Sequence, residues 1–232
     1  MAFDLHQQPV LILMAKRPAP GVGKQRIARQ FGIARTARLA ELLWLCAVED
    51  VAAWPHERVI SIASAADTEW AQSALPSATV IHQPAGNLGV RIQHAHKQFD
   101  QPGRPILFIG SDAPELDLVY LNECLKALET FDVVLGQAAD GGVVVMGSRA
   151  PWPALAKLPW STASLGAALR AACESAGLSL VLREPLEDID TFDQLAALPG
   201  ALANDGRAAR RALRDWVSAN LTVSQPAPGA LA

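Results

Sequence analysis

Short apolar runs alternate with amphipathic stretches along most of the chain. The first run, PVLILMA at residues 9–15, is apolar on both faces and ends in turn residues, which is typical of a buried parallel strand. Similar runs predict further strands at residues 58–63, 79–82, 105–110, 132–136, 142–147 and 178–182. Helical periodicity lies between them, at residues 25 or 33 to 53, 67–73, 90–99, 118–128, 162–176, 191–198 and 206–219. The pattern predicts an α/β domain with a mostly parallel central sheet and helices on both sides.

The chain is expected to form one main domain. Its 232 residues suffice for one sizeable core, and no internal repeat or linker divides the body. We expect the domain to span residues 1–205, followed by a basic helix at 206–220 and a disordered Pro/Ala/Gly tail at 221–232. The four arginines of that helix, Arg207, Arg210, Arg211 and Arg214, share one helical face, which is predicted to be solvated.

Composition excludes several classes of protein. Half of the residues are hydrophobic and 19% are charged, which is incompatible with disorder of the body. No apolar run reaches 18 residues, so no membrane span is predicted. The N-terminus does not resemble a secretory signal, and three scattered cysteines are expected to be buried free thiols, so a cytoplasmic location is predicted. A net charge of −3 argues against nucleic acid as a partner, and no oligomeric state is predicted.

The charges are unevenly distributed along the chain. Residues 16–38 contain seven cations and no acid, whereas residues 109–140 contain seven acids and one lysine. In open parallel sheets, ligands bind outside the carboxyl ends of the strands. Polar loops follow the predicted strands at that edge, one basic (KRPAPGVGK, residues 16–24) and the others acidic (residues 111–114, 137–142 and 183–191).

One basic and three acidic loops on the same rim suit a ligand with phosphates and a divalent metal. Lys24 and Arg26 offer charge to phosphates, and prolines stiffen the loop that carries them. Asp112 and Asp190 are hard oxygen ligands that match Mg²⁺ or Mn²⁺.

Each of these residues also has a purely structural interpretation. The basic loop is neither a Walker A nor a GxGxxG motif and can be an ordinary connector. Asp112 can cap the next helix, and Asp140-Gly141-Gly142 is more typical of a hairpin turn. Asp188 or Asp190, with Thr191, can cap the last short helix. Trp160 can be a core residue before a helix capped by Ser161 or Thr162, and the histidines of residues 82–96 form no metal-binding spacing.

In combination, the motifs resemble those of one bacterial family. They are, in order, KRPxPGxxKxR (residues 16–26), LGxR (88–91), IGSDAP (109–114), DVVLGxAxDGG (132–142), PWST (159–162) and DIDTFDQL (188–195). The chain resembles small GT-A-like transferases, usually described as glycosyltransferases, of the nucleotide-diphospho-sugar transferase superfamily. They are similar to the guanylyltransferases of molybdenum-cofactor and phospholactate metabolism.

The resemblance implies a single Rossmann-like, three-layer α/β/α domain with a mixed sheet, a nucleotide over the first strand, and Mg²⁺ or Mn²⁺. It implies Asp112 as the metal carboxylate, with Asp190 as its partner and Asp188 as the alternative. Asp112, Asp140 and Asp190 are the implied catalytic residues. The implied nucleotide- and phosphate-binding residues are Lys16, Pro20, Gly21, Lys24, Arg26 and Arg91. The implied acceptor or sugar residues are Gly141, Gly142, Trp160, Ser161 and Thr162.

The chain departs from the family pattern at three places. The usual KTRL is Lys24-Gln25-Arg26-Ile27 here, and Gln137 replaces the usual proline. Val143 and Val144 replace the usual aromatic pair after DGG, which removes rings that stack on a sugar or base.

Three functional hypotheses follow. The first is a metal-dependent glycosyltransferase acting on a nucleotide-sugar and a small-molecule acceptor. The second is a nucleotidyltransferase in which a phosphorylated small molecule attacks an NTP and pyrophosphate is released. The third is a catalytically silent nucleotide-binding protein.

Overall fold

A computed structural model describes residues 8–221. The predicted tail therefore lies, apart from its first residue, outside the described part of the chain. The described residues form two compact units, one of residues 8–17 and 47–188 and one of residues 18–46 and 189–221. We call them the sheet unit and the helical unit. The division into a 1–205 domain, a basic helix and a tail stays a prediction.

The sheet unit contains a seven-stranded sheet. Its strands follow the order β3-β2-β1-β4-β6-β5-β7. They are β1 (Val10–Ala15), β2 (Glu57–Ile62), β3 (Thr79–His82), β4 (Ile106–Ile109), β5 (Val133–Ala138), β6 (Val143–Ser148) and β7 (Leu180–Leu186). β6 is antiparallel to both neighbours and every other pair is parallel. The predicted α/β class with a mostly parallel mixed sheet is confirmed.

Helices flank this sheet. The helices α3 (Thr68–Ala74), α4 (Leu88–Phe99), α5 (Leu118–Ala127) and α6 (Leu165–Ser175) pack against its strands. Side chains of the strands and of these helices pack together in one apolar core. Because helices cover the sheet, the strands are continuous hydrophobic runs. The antiparallel placement of β6 follows from the short connection at residues 139–142, because four residues can close a hairpin but not a parallel crossover.

The helical unit contains α1 (Gln25–Phe31), the first part of α2 (Ile33–Ala53), α7 (Phe192–Ala201) and α8 (Ala208–Leu221). Leucines from α2, α7 and α8 join Ile27 and Phe31 of α1 in a second apolar core. The sequence pattern left open a single helix from residue 25 to 53. Two helices form because Gly32 takes a left-handed φ of 86° and ends α1.

The predicted solvated face of the C-terminal helix is wrong for Arg210. Its side chain is fully buried, and its guanidinium donates to the carbonyl of Cys46. Arg210 shares its stripe with Leu213 and Val217, three and seven residues later, and both belong to the buried core. Arg210 is therefore buried because it lies on the apolar face of the helix, whereas the next residue, Arg211, is exposed.

The three cysteines are free and buried, as predicted. Burial raises the pKa of Cys124 to about 12 and that of Cys173 to about 11, so these two thiols stay protonated at neutral pH. No helix among residues 8–221 is long and apolar enough to cross a bilayer.

Candidate active site

A cleft of about 320 Å³ opens in the sheet unit. The chain passes from β1 to β2 and β3 on one side, then returns to β4 on the other side of β1. This reversal makes the carboxyl ends of β1 and β4 a switch point, where ligands bind in open α/β sheets. The cleft lies there, because it is lined by Met14 of β1, by Lys16 just beyond it, and by residues 108–113 from β4 and its loop.

Lys16 provides the positive charge of the cleft. It directly follows β1, is exposed, and is the one cation among the described residues that line the cleft. The next residue, Arg17, lies 3.6 Å from Asp67 in an ion pair. The predicted phosphate-binding role of Lys16 thus has a suitable place, at the edge of a cleft rather than in a loop away from it.

Two carboxylates, Asp112 and Asp188, line the same cleft. Asp112 follows β4 and is exposed, whereas Asp188 follows β7 and is half-buried. The helix-cap interpretation of Asp112 is wrong, because α5 begins six residues later and is capped by Asp117, whose carboxylate accepts from Tyr120 N at 2.7 Å. Asp112 thus lines the cleft without capping α5.

Asp190, the first-choice partner of Asp112, belongs to the helical unit. Its Oδ1 lies 3.2 Å from Lys24 Nζ. The cap of α7 is Thr191, which forms a capping box with Gln194, so neither Asp188 nor Asp190 caps this helix. Asp190 and Asp188 were the two candidate partners of Asp112 at the metal. Asp188, the alternative, lines the cleft, and Asp190 does not.

Lys24 is engaged inside the helical unit. Its ammonium donates to the carbonyl of Ile189 at 2.6 Å and to Asp190 at 3.2 Å, and only 7% of its side chain is exposed. Its backbone is left-handed (φ 45°, ψ 40°), which costs about 1–2 kcal/mol for a residue with a Cβ. The structure therefore gives Lys24 an anchoring role, and its phosphate role stays a prediction.

Three further candidate residues, two in the basic loop and one in the first turn of α1, are exposed. Pro20, Gly21 and Arg26 face solvent, and the Gln25 amide donates to the carbonyls of Gly21 and Gly23. Gln25 stands where the family pattern has threonine, and here it braces the loop. The roles of Pro20, Gly21 and Arg26 stay predictions.

Arg91 braces a neighbouring turn. Its guanidinium donates to the carbonyl of Gly86 at 3.0 Å and to Gln83 Oε1 at 3.1 Å. These bonds connect the start of α4 to the segment after β3. They explain an arginine at this position without a phosphate, and its predicted ligand role stays untested.

Asp140, Gly141 and Gly142 form the β5–β6 hairpin, as their structural interpretation predicted. The Asp140 carboxylate accepts from Gly142 N at 2.8 Å. Gly141 has φ 91°, and a Cβ there would lie 2.3 Å from the carbonyl oxygen of Ala163. None of the three lines the cleft, although the two valines that follow do.

The PWST segment is divided between the cleft and a turn. Trp160 lines the cleft, and its indole nitrogen donates to the carbonyl of Leu155 at 2.8 Å. Ser161 is left-handed (φ 63°), and Thr162 Oγ1 bonds to the carbonyl of Pro159. The predicted caps of α6 are wrong, because these residues form a turn and the helix begins later, at Leu165.

The residues of the cleft fit a divalent cation whose remaining ligands come from the substrate. Among residues 8–221, no group of three or more His, Cys, Asp or Glu side chains is placed to hold a metal. Mg²⁺ is usually held by one or two carboxylates together with substrate phosphates. Asp112 and Asp188 supply two carboxylates in one cleft, which matches that arrangement.

Sequence reasoning missed the apolar lining. It searched the polar strand ends, whereas Leu88, Ile92, Phe108, Met146 and Leu165 supply much of the wall. It also missed the like charges beside the cleft, where burial and, less strongly, Glu187 raise the pKa of Glu115. The available sequence signal was Leu88, the apolar first residue of the LGxR motif. In the structure it begins α4, its side chain is 42% exposed, and it lines the cleft.

The fold is shared with at least three solved structures of α/β proteins. A protein from Desulfovibrio desulfuricans G20, described provisionally as a nucleotide-diphospho-sugar transferase, superposes with a TM-score of 0.83 at 22% identity, covering 93% of this chain and 97% of that one. A cytidylyltransferase from Leptospira borgpetersenii serovar Hardjo-bovis gives 0.53 at 14% identity, covering 97% and 98%. Rv0371c from Mycobacterium tuberculosis H37Rv gives 0.51 at 16%, covering 83% and 98%. These likenesses establish the fold.

The family follows from the sequence. Residues 47–162 match the model described as "Uncharacterized protein conserved in bacteria (DUF2064)", and the chain belongs to this family. No curated protein matches the sequence significantly.

Proposed function

We propose that the protein is a transferase that uses a nucleotide-activated sugar as its donor and a small molecule as its acceptor. One observation carries the proposal: the cleft at the sheet's switch point contains Lys16 together with Asp112 and Asp188. A cation and two carboxylates in one cleft suit a diphosphate and a divalent metal together.

Lys16 binds an oxygen of the diphosphate as a point charge. Asp112 and Asp188 would hold Mg²⁺ or Mn²⁺. When bound, the cation would neutralise charge on the departing diphosphate. The apolar walls exclude water from the donor, which limits hydrolysis and strengthens the charge interactions.

The transfer is a substitution at the anomeric carbon. A lone pair of the acceptor oxygen forms the new bond to that carbon, and the bond from carbon to the β-phosphate oxygen breaks. The electron pair of that bond leaves with the nucleoside diphosphate, and the hydroxyl proton passes to a phosphate oxygen of that leaving group. The cleft contributes mainly by holding the two reactants in line.

Nucleotidyl transfer is the second candidate. It is favoured by the cytidylyltransferase that shares this fold with a TM-score of 0.53. In that reaction, a phosphorylated acceptor would attack the α-phosphate of an NTP and pyrophosphate would leave. The same lysine and carboxylates would serve both reactions, so the leaving group separates them.

Thermal shifts test the proposal with NTPs, NDPs and nucleotide-sugars, each with and without Mn²⁺. A ligand at 100 times its Kd stabilises by about 2.7 kcal/mol. We expect a Mn²⁺-dependent shift that Asp112→Asn abolishes and that Asp193→Asn, at an exposed acid outside the cleft, retains. An equal shift in the Asp112 variant contradicts the assignment.

Products then identify the reaction. Release of NDP from a nucleotide-sugar supports glycosyl transfer, and release of pyrophosphate from an NTP supports nucleotidyl transfer. Binding without either product across a broad donor panel supports the third hypothesis, a silent nucleotide-binding protein.

A further inference from the structure

We propose that the acceptor is an apolar alcohol, with an aliphatic or aromatic body, rather than a sugar or another polyhydroxy compound. This inference rests on the proposed function, because it assigns the substrate that the donor's sugar is transferred to. It concerns the walls of the cleft rather than the charged residues at its edge.

The lining of the cleft is mostly apolar. Of the seventeen described residues that line the cleft, four have polar side chains: Lys16, Ser111, Asp112 and Asp188. The proposed function uses three of these for the diphosphate and the cation. Only Ser111 is then available among them to pair with an acceptor hydroxyl besides the one that reacts.

The indole N–H of Trp160 already has a hydrogen-bond partner within the protein. Its N–H donates to the carbonyl of Leu155 at 2.8 Å, so the ring presents an apolar surface to the cleft. This hydrogen bond lies close against α4, where only a glycine leaves room for it. A Cβ at Gly89 of α4 would lie 2.6 Å from the indole nitrogen and 2.4 Å from the Leu155 carbonyl oxygen.

β6 and the start of α4 contribute further apolar side chains to the wall of the cleft. Val143 and Val144 both line the cleft, and neither can form a side-chain hydrogen bond. Leu88 lines it as well and is 42% exposed, so the apolar wall continues to the surface. Such a wall accommodates an apolar body whose far end reaches solvent.

Hydroxyl groups are poorly tolerated on such walls. A buried hydroxyl without a partner weakens binding by about tenfold or more, and a sugar acceptor adds several hydroxyls to those that the donor sugar already brings to the few polar groups of the cleft. Each buried methylene instead improves binding, by up to about fourfold. The oxygen of the alcohol's single hydroxyl forms the new bond to the anomeric carbon, the bond from that carbon to the diphosphate breaks, and the nucleoside diphosphate leaves with the electron pair and takes the hydroxyl proton on a phosphate oxygen.

Binding is measured first, independently of turnover. Saturation-transfer NMR on the full chain compares 1-octanol with methyl glucoside, each alone and in the presence of a nucleotide found by the thermal screen. We expect signal from octanol and none from methyl glucoside. Equal or stronger binding of methyl glucoside, or no binding of octanol, overturns the proposal.

Turnover is measured next with n-alcohols from ethanol to octanol. We expect kcat/KM to rise by about two- to fourfold for each methylene. A flat series overturns the proposal. If octanol binds but no nucleotide does, the proposed function fails while the apolar ligand class stands, so the two failures are distinguishable.

Variants locate the binding wall. Val144→Thr keeps the side-chain shape and adds a hydroxyl, and it should lower octanol affinity by about tenfold. Leu88→Gln changes an exposed residue and provides a second variant that retains the fold. The matched control is Val119→Thr, at a valine that is 65% exposed and outside the cleft. If Val144→Thr weakens nucleotide binding as much as octanol binding, these walls hold the base and the proposal is wrong.

Discussion

Replacing Lys24 with methionine tests whether this residue anchors the helical unit. Its ammonium donates to the Ile189 carbonyl at 2.6 Å and to Asp190 at 3.2 Å, and 7% of the side chain is exposed. Methionine keeps most of the apolar stem and leaves the left-handed backbone unchanged. The substitution therefore removes the charge and its hydrogen bonds with little change in packing.

The magnitude follows from these two contacts. A hydrogen bond from a charged donor to a shielded carbonyl contributes about 1.5–3 kcal/mol. The Asp190 side chain is 43% exposed, so the ion pair adds less than about 1 kcal/mol. We expect Lys24→Met to lower the free energy of unfolding by about 2–3 kcal/mol, and Asp190→Asn to lower it by less than about 1 kcal/mol.

Urea unfolding measures the effect as a shift of the midpoint at constant slope. Lys126→Met is the matched control, because Lys126 is an exposed lysine at the end of α5, and it should change stability by less than about 0.5 kcal/mol. If Lys24→Met changes stability no more than the control but abolishes nucleotide binding, the anchoring role is refuted and the phosphate role predicted from the sequence is right.

Three further predictions concern residues away from the cleft charges. Arg210→Met should destabilise by about 2–4 kcal/mol in urea unfolding, because it leaves a buried carbonyl without its charged donor, whereas Arg211→Met on the exposed side should be neutral; equal effects would support the solvated-face prediction. Gly141→Ala should cost more than about 2 kcal/mol, since its Cβ would lie 2.3 Å from a backbone carbonyl oxygen, while Gly177→Ala, at φ 74° in open space, should cost about 1 kcal/mol. Burial lowers the pKa of His96 below its ordinary 6.5, so His96 becomes protonated at a lower pH in the folded state than in the unfolded state. Stability should therefore fall as the pH drops below 6.5, and His96→Gln should reduce that fall; an unchanged pH profile would contradict this cause.

Much of the sheet could be predicted, because its strands have short apolar runs with clear ends. The strand at residues 79–82 matches β3 at both ends, and the run at 105–110 contains β4. The direction of β6 was not visible in the apolar pattern, since parallel and antiparallel core strands read alike when both faces are buried. It depends on the four-residue hairpin around Gly141.

Polar candidates were predicted with mixed success, for a physical reason. Lys16 directly follows β1 and Asp112 comes three residues after the neighbouring strand β4, so their positions at strand ends were enough to predict that both lie at one cleft. Lys24 lies further along its loop, and its backbone conformation directs the ammonium to the Ile189 carbonyl. No spacing rule reports that conformation, so a basic residue in a Pro/Gly loop was assigned to phosphates.

The order of apolar and polar positions was sufficient to predict the α/β class and the polar loops at the strand ends, because periodicity is a local property of the chain. Contacts between residues far apart in sequence decided three other features: the carboxylate that accompanies Asp112, the arginine of α8 that is buried, and the apolar side chains that line the cleft. Asp188 lines the cleft while Asp190 meets Lys24, although the two differ by two positions. The chain passes from the sheet unit into the helical unit between these two positions, and the apolar pattern does not show where that boundary falls.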